Sequence, residues 1–463
     1  MNKLRVESDC IGTRRLPAAC LFGIQTLRAQ ENFHISGRPI SRYPSFIVSL
    51  AFIKKAAAQV NNQLGLLPTD LCLAIVEACD EIIRGEWHEA FVVDVIQGGA
   101  GTSTNMNANE VIANRALEIL GHKKGQYKHL HPNTHVNMSQ STNDVCPTAL
   151  RVTLIIMCRD LIATMVSLQR SLENKAREFQ DIIKVGRTQL QDAVPMTLGQ
   201  EFRAYAIMIA EDICRLDEAK DLVREINLGG TAIGTGLNAP IGYAKLITAR
   251  LSKLTGIRLK TSANLVEATQ DAGAYVQLSG VLKRVAVKLS KICNDLRLLS
   301  SGPRCGLGEI NLPNMAPGSS IMPGKVNPII PEVVNQVAFQ VIGNDLTITM
   351  AAEAGQLELN AMQPIIAYDL FESLSLLQRG IHTLCHKCVR GITANPKRCR
   401  ELMEKSIGLA TALNPVLGYE KSTKIALEAL HTGKSIYSLV LEKNLLDKAR
   451  LDELLSPENM IVQ

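Results

Sequence analysis

Four segments of the sequence are rich in Gly, Ser, Thr and Asn, residues that present backbone N–H groups and hydroxyls to anions. They are GGAGTSTN at 98–105, SQSTND at 139–144, GRTQLQD at 186–192 and GSSIMPGKVNP at 318–328. Each of them, taken alone, also fits an ordinary loop or helix cap. All four adjoin a predicted long helix, whose N-terminal dipole would add to the donors. Together they indicate a site for a small anion.

The spacing in these segments excludes a nucleotide phosphate loop. Five residues, instead of four, separate Gly318 from Gly324, and Val326 follows Lys325 where a P-loop needs Ser or Thr. The sequence GGTAIGTG at 229–236 lacks the third glycine of a dinucleotide-binding turn and lies outside any strand-helix-strand pattern. We therefore expect no nucleotide cofactor.

A cluster of His382, Cys385, His386 and Cys388 has the residue types of a partial metal site. All four residues fall within one predicted helix, and no second ligand pair follows at the spacing of a zinc ribbon or finger. Thiols three residues apart on a helix more often pack in a core, so we expect no bound metal. The twelve cysteines are spread along the chain, several of them in apolar helical patterns, and we expect reduced thiols.

The composition describes an ordered globular protein with helical packing. Of the 463 residues, 46% are apolar but only 4% are aromatic, so the core must be built from Leu, Ile, Val, Ala and Met. The net charge of +6 is dispersed, which argues against a nucleic-acid partner. The N-terminus lacks an apolar signal region, and no apolar stretch is long enough to span a membrane, so we expect a cytoplasmic protein with no membrane partner.

The predicted elements are helices of unusual length. A first region, up to about residue 140, mixes short helices with polar loops and includes a helix near 45–64. Long apolar helices follow, and shorter, more charged helices begin after Pro396. The long helices are predicted at 148–179, 198–226, 265–299 and 331–353. They carry more apolar surface than one chain can cover, so we expect an all-α fold and self-association.

The segment GSSIMPGKVNP resembles the signature of the aspartase/fumarase superfamily almost letter for letter. Further segments resemble the same family in the same order, so that the resemblance covers nearly the whole chain; they lie at 98–116, 135–144, 186–202 and 291–307. It implies a three-domain, all-α subunit with a long central helical bundle, and a homotetramer that forms a shared multi-helix core. Active sites would form where three subunits meet. The implied domains are 1–141, 142–396 with the signature loop at 318–328, and a small helical domain at 397–463.

The resemblance also implies roles for the signature loop. Ser319 would be the general base that removes a proton from C3 of the substrate, with Ser320 beside it as a binding residue. A serine is a poor base, so it would have to be held as an alkoxide by loop N–H groups and nearby positive charge. Lys325 would bind the α-carboxylate and assist catalysis.

The other implied ligands come from distant segments. They are Asn327 and Thr188 for the α-carboxylate, Ser141 and Thr142 for the β-carboxylate, and Thr102, Asn143 and Gln189 for the amino group. Arg28 matches a family arginine with an electrostatic role, but it fits a surface ion pair equally well.

Details outside the signature loop favour the aspartase branch of the superfamily. Thr142 replaces the serine that is typical of fumarases, Gln189 stands where fumarases carry histidine, and 98–107 has the aspartase form. The expected reaction is the elimination of ammonia from L-aspartate to give fumarate. Gln363 and the stretch RLPAACLFG at 15–23 depart from the aspartase pattern. The alternatives are fumarate hydration, a lyase of larger substrates such as argininosuccinate, or a catalytically silent structural homologue.

Overall fold

A computed structural model describes residues 3–456, which form sixteen α-helices and eight short β-strands. In chain order, the elements of the first part are β1 (Leu4–Asp9), β2 (Gly12–Pro17), α1 (Ile24–Asn32), α2 (Pro44–Gln63), α3 (Thr69–Ile83), α4 (Thr102–Ile119) and α5 (Thr142–Glu178).

The middle of the chain contains β3 (Ile183–Thr188), β4 (Gln191–Thr197), α6 (Leu198–Leu222), β5 (Glu225–Ile226), α7 (Tyr243–Thr255), β6 (Lys260–Thr261), α8 (Leu265–Gln270), α9 (Gly273–Leu299), β7 (Ile310–Asn311), α10 (Ile329–Glu353) and α11 (Gln363–Lys387). The last elements are β8 (Thr393–Ala394), α12 (Pro396–Lys405), α13 (Asn414–Leu417), α14 (Tyr419–Thr432), α15 (Ile436–Glu442) and α16 (Lys448–Leu454).

The described residues form two compact units. The first unit comprises residues up to 162, together with 214–284 and 340–377. The second comprises 163–213, 285–339 and the chain from 378 onward. The longest helices, α5, α6, α9, α10 and α11, contribute residues to both units. The three-domain division at residues 141 and 396 remains a prediction.

In the first unit, α2 packs against α3, α4 and α7. The buried face of α2 includes Leu50, Ile53 and Ala57, all without solvent exposure, and Ile75 of α3 is equally buried. Small side chains on α2 let the helices approach closely, so that aliphatic residues fill the space between them.

In the second unit, the antiparallel hairpin of β3 and β4 packs beside α12 and the short helical turn at 407–413. The C-terminal helices share a separate apolar cluster, whose buried members include Leu413, Ile425, Leu439 and Leu451. This cluster packs the C-terminal helices together, and its buried members include no aromatic residue.

The all-α fold is confirmed, but α5 begins at Thr142, six residues before the predicted start. Pro147 lies inside the helix, where it removes the N–H that would bond to the Asn143 carbonyl. The side-chain amide of Asn227 donates to that carbonyl instead, at 3.0 Å. A contact from a distant residue therefore allows the helix to extend back through the proline.

Two further helices differ from the sequence prediction. The predicted helix at 265–299 is interrupted after Gln270, where the Asp271 carboxylate accepts a hydrogen bond from the Gly273 N–H at 2.9 Å and starts α9. The predicted helix at 198–226 ends at Leu222, because β5 then pairs in parallel with β6. The four small sheets were not predicted; half of their strands have only two residues, too few to show an alternating pattern.

Within residues 3–456, no helix is both long enough and apolar enough to cross a membrane.

The start of α1 depends on a buried carboxylate from another helix. Glu110 of α4 is 2% exposed, and its oxygens accept hydrogen bonds from the backbone N–H groups of Gly23, Gln25 and Thr26 at 2.8, 2.9 and 3.1 Å. These N–H groups belong to the first turn of α1 and its cap, which have no intrahelical partner. The Glu110 carboxylate therefore satisfies the donors and complements the helix dipole.

We predict that Glu110→Ala lowers the free energy of unfolding by about 3 kcal/mol, because it leaves two buried N–H donors and one partly buried N–H donor without an acceptor. Urea unfolding followed by circular dichroism measures this loss. Glu118→Ala, which removes a more exposed carboxylate from the same helix, should cost less than about 1 kcal/mol. Equal losses of unfolding free energy in the two variants would show that the buried carboxylate stabilises the fold no more than the exposed one.

Candidate active site

The segment at 98–105 forms a tight loop that leads into α4. Gly99, Ala100 and Gly101 all have positive φ, at 87°, 55° and 92°. A Cβ on Gly101 would lie 3.0 Å from the Cys146 sulfur, so the close approach of α5 requires glycine here. Thr102 is the first residue of α4, is exposed, and donates its hydroxyl to the Gly99 carbonyl at 2.7 Å.

The segment at 139–144 forms the start of α5. Ser141 and Thr142 are both half-buried, and the Ser141 hydroxyl oxygen accepts a hydrogen bond from the Asn143 N–H at 3.3 Å. The Ser141 N–H donates to the Asp144 carboxylate at 2.9 Å. Two hydroxyls thus lie at the N-terminus of a long helix, where a negative charge is favoured.

Asp144 joins this segment to the loop that contains Gly229 and Thr231. Its second carboxylate oxygen accepts hydrogen bonds from the N–H groups of Gly229 and Thr231, both at 3.0 Å. Burial raises the pKa of Asp144 to about 6, although the backbone donors and the charge of Lys54 favour the carboxylate. The side chain of Asn143 donates to the Ala232 carbonyl at 2.7 Å, so the amide nitrogen of this predicted ligand is bonded to the loop.

Lys54 of α2 lies beneath the same segment and is completely buried. Its ammonium donates to the side-chain oxygens of Asn105, Asn137 and Gln140 at 2.7, 3.0 and 3.0 Å. Asn105 in turn donates to the Thr142 hydroxyl oxygen at 3.2 Å. Burial lowers the pKa of Lys54 to about 7. The first unit therefore brings the loop of Thr102 and the loop of Thr142 onto one buried polar network.

In the second unit, Thr188 and Gln189 lie at the tip of the β3–β4 hairpin. They were expected beside a helix N-terminus, so this expectation was wrong. Gln189 and Leu190 form a two-residue turn with positive φ at both positions, 55° and 63°. Neither residue is a glycine or asparagine, so the turn is strained and gave no hairpin signal in the sequence. Both Thr188 and Gln189 are exposed.

Buried charges hold the base of this hairpin. Glu309 has no solvent exposure and forms ion pairs with Lys184 and Arg187, both in β3, at 3.2 and 2.8 Å. Lys184 also pairs with Glu201 of α6 at 3.0 Å. Two cations and two anions therefore compensate one another inside the second unit, which makes their burial tolerable.

The signature loop at 318–328 closes on itself. The Gly318 N–H donates to the Lys325 carbonyl, and the Asn327 side chain donates to the Gly318 carbonyl, both at 2.7 Å. A Cβ on Gly318 would lie 2.7 Å from the Lys325 carbonyl oxygen, so any other residue would open the loop. The amide nitrogen of Asn327, a predicted ligand, is therefore bonded within the loop.

Ser319 accepts two backbone hydrogen bonds. Its Oγ receives the N–H groups of Ile321 and Met322 at 3.2 and 2.9 Å. Donors aimed at a hydroxyl oxygen stabilise negative charge on it. Ser320 and Lys325 are exposed, and Lys325 takes part in none of the ion pairs formed by the described residues. The loop thus presents a serine oxygen that can carry negative charge and a lysine that forms no ion pair with the described residues.

Arg28 of α1 is paired with a carboxylate of β1. Its guanidinium forms a forked ion pair with Asp9, with Nε and Nη2 at 2.7 and 2.8 Å from the two carboxylate oxygens. This arrangement corresponds to the ion-pair interpretation of the sequence. The electrostatic role of Arg28 stays a prediction.

The residues around His382 pack within the second unit. The Cys385 sulfur contacts the Ser171 hydroxyl at 3.3 Å, and Arg390 donates to His386 Nδ1 at 3.1 Å. No group of three or more potential ligands suited to a metal ion occurs among the residues from 3 to 456. All twelve cysteines, which lie within this range, are free.

The sequence interpretation missed the residues that support the loops, namely Lys54, Asn105, Asn137, Gln140 and Asp144. One signal was available for Lys54. It follows Leu50 by four residues, so the helical period places a lysine on the apolar face of α2.

Comparisons with known proteins place this geometry in a family. A family model described as "Lyase" matches residues 12–343, and a second, "Fumarase C C-terminus", matches 409–462. An aspartate ammonia-lyase from Pseudomonas aeruginosa is 61% identical over 99% of this chain and 97% of its own.

Two solved structures share the fold. The structure titled fumarate lyase:delta crystallin from Brucella melitensis, bound to cobalt, is 56% identical with a TM-score of 0.97, and it covers 99% of both chains. The class II fumarase from Schistosoma mansoni is 37% identical with a TM-score of 0.94, again over 99% of both chains. The chain therefore belongs to the lyase family that its signature loop indicated, the aspartase/fumarase superfamily.

Proposed function

We propose that this protein is an aspartate ammonia-lyase, which converts L-aspartate reversibly to fumarate and ammonia. The observation that carries the proposal is the Ser319 oxygen, which accepts two backbone N–H groups inside the signature loop. Such an oxygen can exist as the alkoxide that a serine base requires. The 61% identity to an aspartate ammonia-lyase, against 37% to a fumarase, favours ammonia over water as the leaving group.

The difficult step is the removal of a proton beside a carboxylate, because the resulting carbanion is stabilised only as a doubly negative aci-carboxylate. Fixed donors in a water-poor site supply that stabilisation. Ser141 and Thr142 at the start of α5 are the donors that we assign to this β-carboxylate. Their helix N-terminus and the buried Lys54 behind them add positive potential.

The remaining roles follow from the exposed groups. Lys325, Thr188 and Asn327 would bind the α-carboxylate. The Asn327 NH2 group donates one N–H to the Gly318 carbonyl, and its second N–H would donate to the substrate. Thr102, Asn143 and Gln189 would surround the departing nitrogen. Ser320 is the remaining substrate-binding residue of the signature loop. The proposed reaction uses no cofactor or metal.

We further propose a homotetramer in which three subunits complete each site, with three domains in each subunit and a cytoplasmic location. Helix α10 supports the association, because Phe339, Leu346 and Met350 are 62%, 63% and 63% exposed and recur at helical spacing. Such a stripe on a long helix is suited to packing against equivalent helices of other copies.

The reaction is tested by the ultraviolet absorbance of fumarate. We expect the purified protein to release fumarate from L-aspartate and to release little or none from L-malate. Fumarate from malate alone would identify a hydratase, and fumarate from neither substrate would identify a silent homologue.

We predict that Ser319→Ala lowers kcat about a thousandfold, because the variant keeps the binding groups and loses only the proton acceptor. Steady-state kinetics with L-aspartate measure the effect. Ser300→Ala is the control, since that hydroxyl donates to the Arg297 carbonyl and lies outside the loop. A Ser319→Ala variant that retains most of its turnover would remove Ser319 from the role of base.

A shared site predicts complementation between inactive variants. If Thr188 and Ser319 reach one site from different chains, then Thr188→Val and Ser319→Ala carry separate defects. Refolding equal amounts together should restore about a quarter of the sites, because each chain contributes its intact residue half of the time. Fumarate production is compared with that of each variant refolded alone. No recovery in tetramers verified by light scattering would contradict the shared site.

A further inference from the structure

Lys54 is a buried cation whose hydrogen-bond acceptors are all neutral. Its ammonium contacts the side-chain oxygens of Asn105, Asn137 and Gln140, and none of the ion pairs formed by the described residues includes it. Burying an ammonium that forms no direct ion pair is costly even with the Asp144 carboxylate nearby, and an apolar side chain of similar length would pack on this face of α2 at a lower cost. Stability therefore does not explain a lysine at this position.

The ammonium determines how the surrounding amides point. A protonated lysine has three donors and no acceptor, so each amide must turn its oxygen toward Lys54 and its NH2 group away from it. The Asn105 NH2 group consequently faces the Thr142 hydroxyl oxygen at 3.2 Å and donates to it. Thr142 cannot return its own proton to that NH2 group. The hydroxyl proton is left available for an acceptor outside the network.

The same cation orders the loop that precedes Thr142. With its oxygen on Lys54, the Gln140 side chain directs its NH2 group to the carbonyls of Val136 and Met138, each at 3.0 Å. Asn137 likewise directs its NH2 group to the Gln140 carbonyl at 3.2 Å. Lys54 thus fixes the orientation of all three amides that accept its hydrogen bonds.

We propose that Lys54 is a positioning residue for the carboxylate subsite, which sets the hydrogen-bond polarity of the network so that Thr142 donates its hydroxyl proton to a dicarboxylate substrate. Lys54 itself does not touch the substrate. The assignment relies on the proposed function for the nature of the ligand, and its test does not require turnover.

The test is the binding of succinate, an unreactive dicarboxylate, to the assembled protein by titration calorimetry. Lys54→Met and Thr142→Val should each weaken binding about 30-fold, the effect of losing a charge-assisted hydrogen bond. The double variant should be no weaker than Thr142→Val alone, because both changes remove the same donor. Lys55→Met is the matched control, since the adjacent lysine pairs with Asp80 and should leave binding within twofold of the unmodified protein.

Wild-type affinity in Lys54→Met, or additive losses in the double variant, would overturn the proposal. If Lys54→Met does not fold, Asn105→Asp decides the question, because its carboxylate still accepts from Lys54 but presents a second acceptor to Thr142. The Thr142 proton would then turn inward. Part of the loss of succinate affinity in Asn105→Asp should therefore disappear in the Thr142→Val background. A loss caused only by repulsion between the introduced carboxylate and succinate would be equally large in both backgrounds. Succinate binding with this pattern and no fumarate from aspartate would reject the proposed reaction but not the role of Lys54.

Discussion

A buried polar group must find partners, and this constraint shapes every loop that could bind an anion in this protein. Many polar residues are buried among the apolar helices of the two units, and two of them organise loops. Asp144 gathers three backbone N–H groups from two loops, and Lys54 gathers three amide oxygens. Leaving any one of these groups unpaired would cost about 1–3 kcal/mol. The loops are therefore held in one arrangement before any ligand arrives.

This arrangement matters because electrostatic catalysis depends on donors that need no reorganisation. At the start of α5, Asp144 accepts the Ser141 N–H and the Ser141 hydroxyl oxygen accepts the Asn143 N–H, so the hydroxyl protons of Ser141 and Thr142 remain for a ligand. In the signature loop, Gly318 and Asn327 close the ends, and the N–H groups between them converge on Ser319. In both places, hydrogen bonds within the protein fix the backbone around a hydroxyl that the proposed reaction uses.

Much of this could be predicted from sequence, because helix length, apolar periodicity and short motifs are local properties. The all-α fold, the long helices and the four polar segments are of this kind. The supporting contacts are not local: Lys54 and Asn105 are separated by 51 positions, and Gly229 and Asp144 by 85. The hairpin tip was missed because Gln189 and Leu190 adopt a turn that sequence reasoning reserves for Gly and Asn. The Asp9 partner of Arg28 was likewise invisible, since any surface carboxylate could have served.

The most direct test of this account is a crystal structure of the assembled protein with succinate bound. The account predicts one carboxylate accepting hydrogen bonds from the Ser141 and Thr142 hydroxyls, with Asn105 still donating to the Thr142 oxygen. It also predicts the Ser319 Oγ of a signature loop facing a methylene carbon of the ligand. A dicarboxylate bound away from Ser141 and Thr142, or a Thr142 hydroxyl turned toward Asn105, would contradict it.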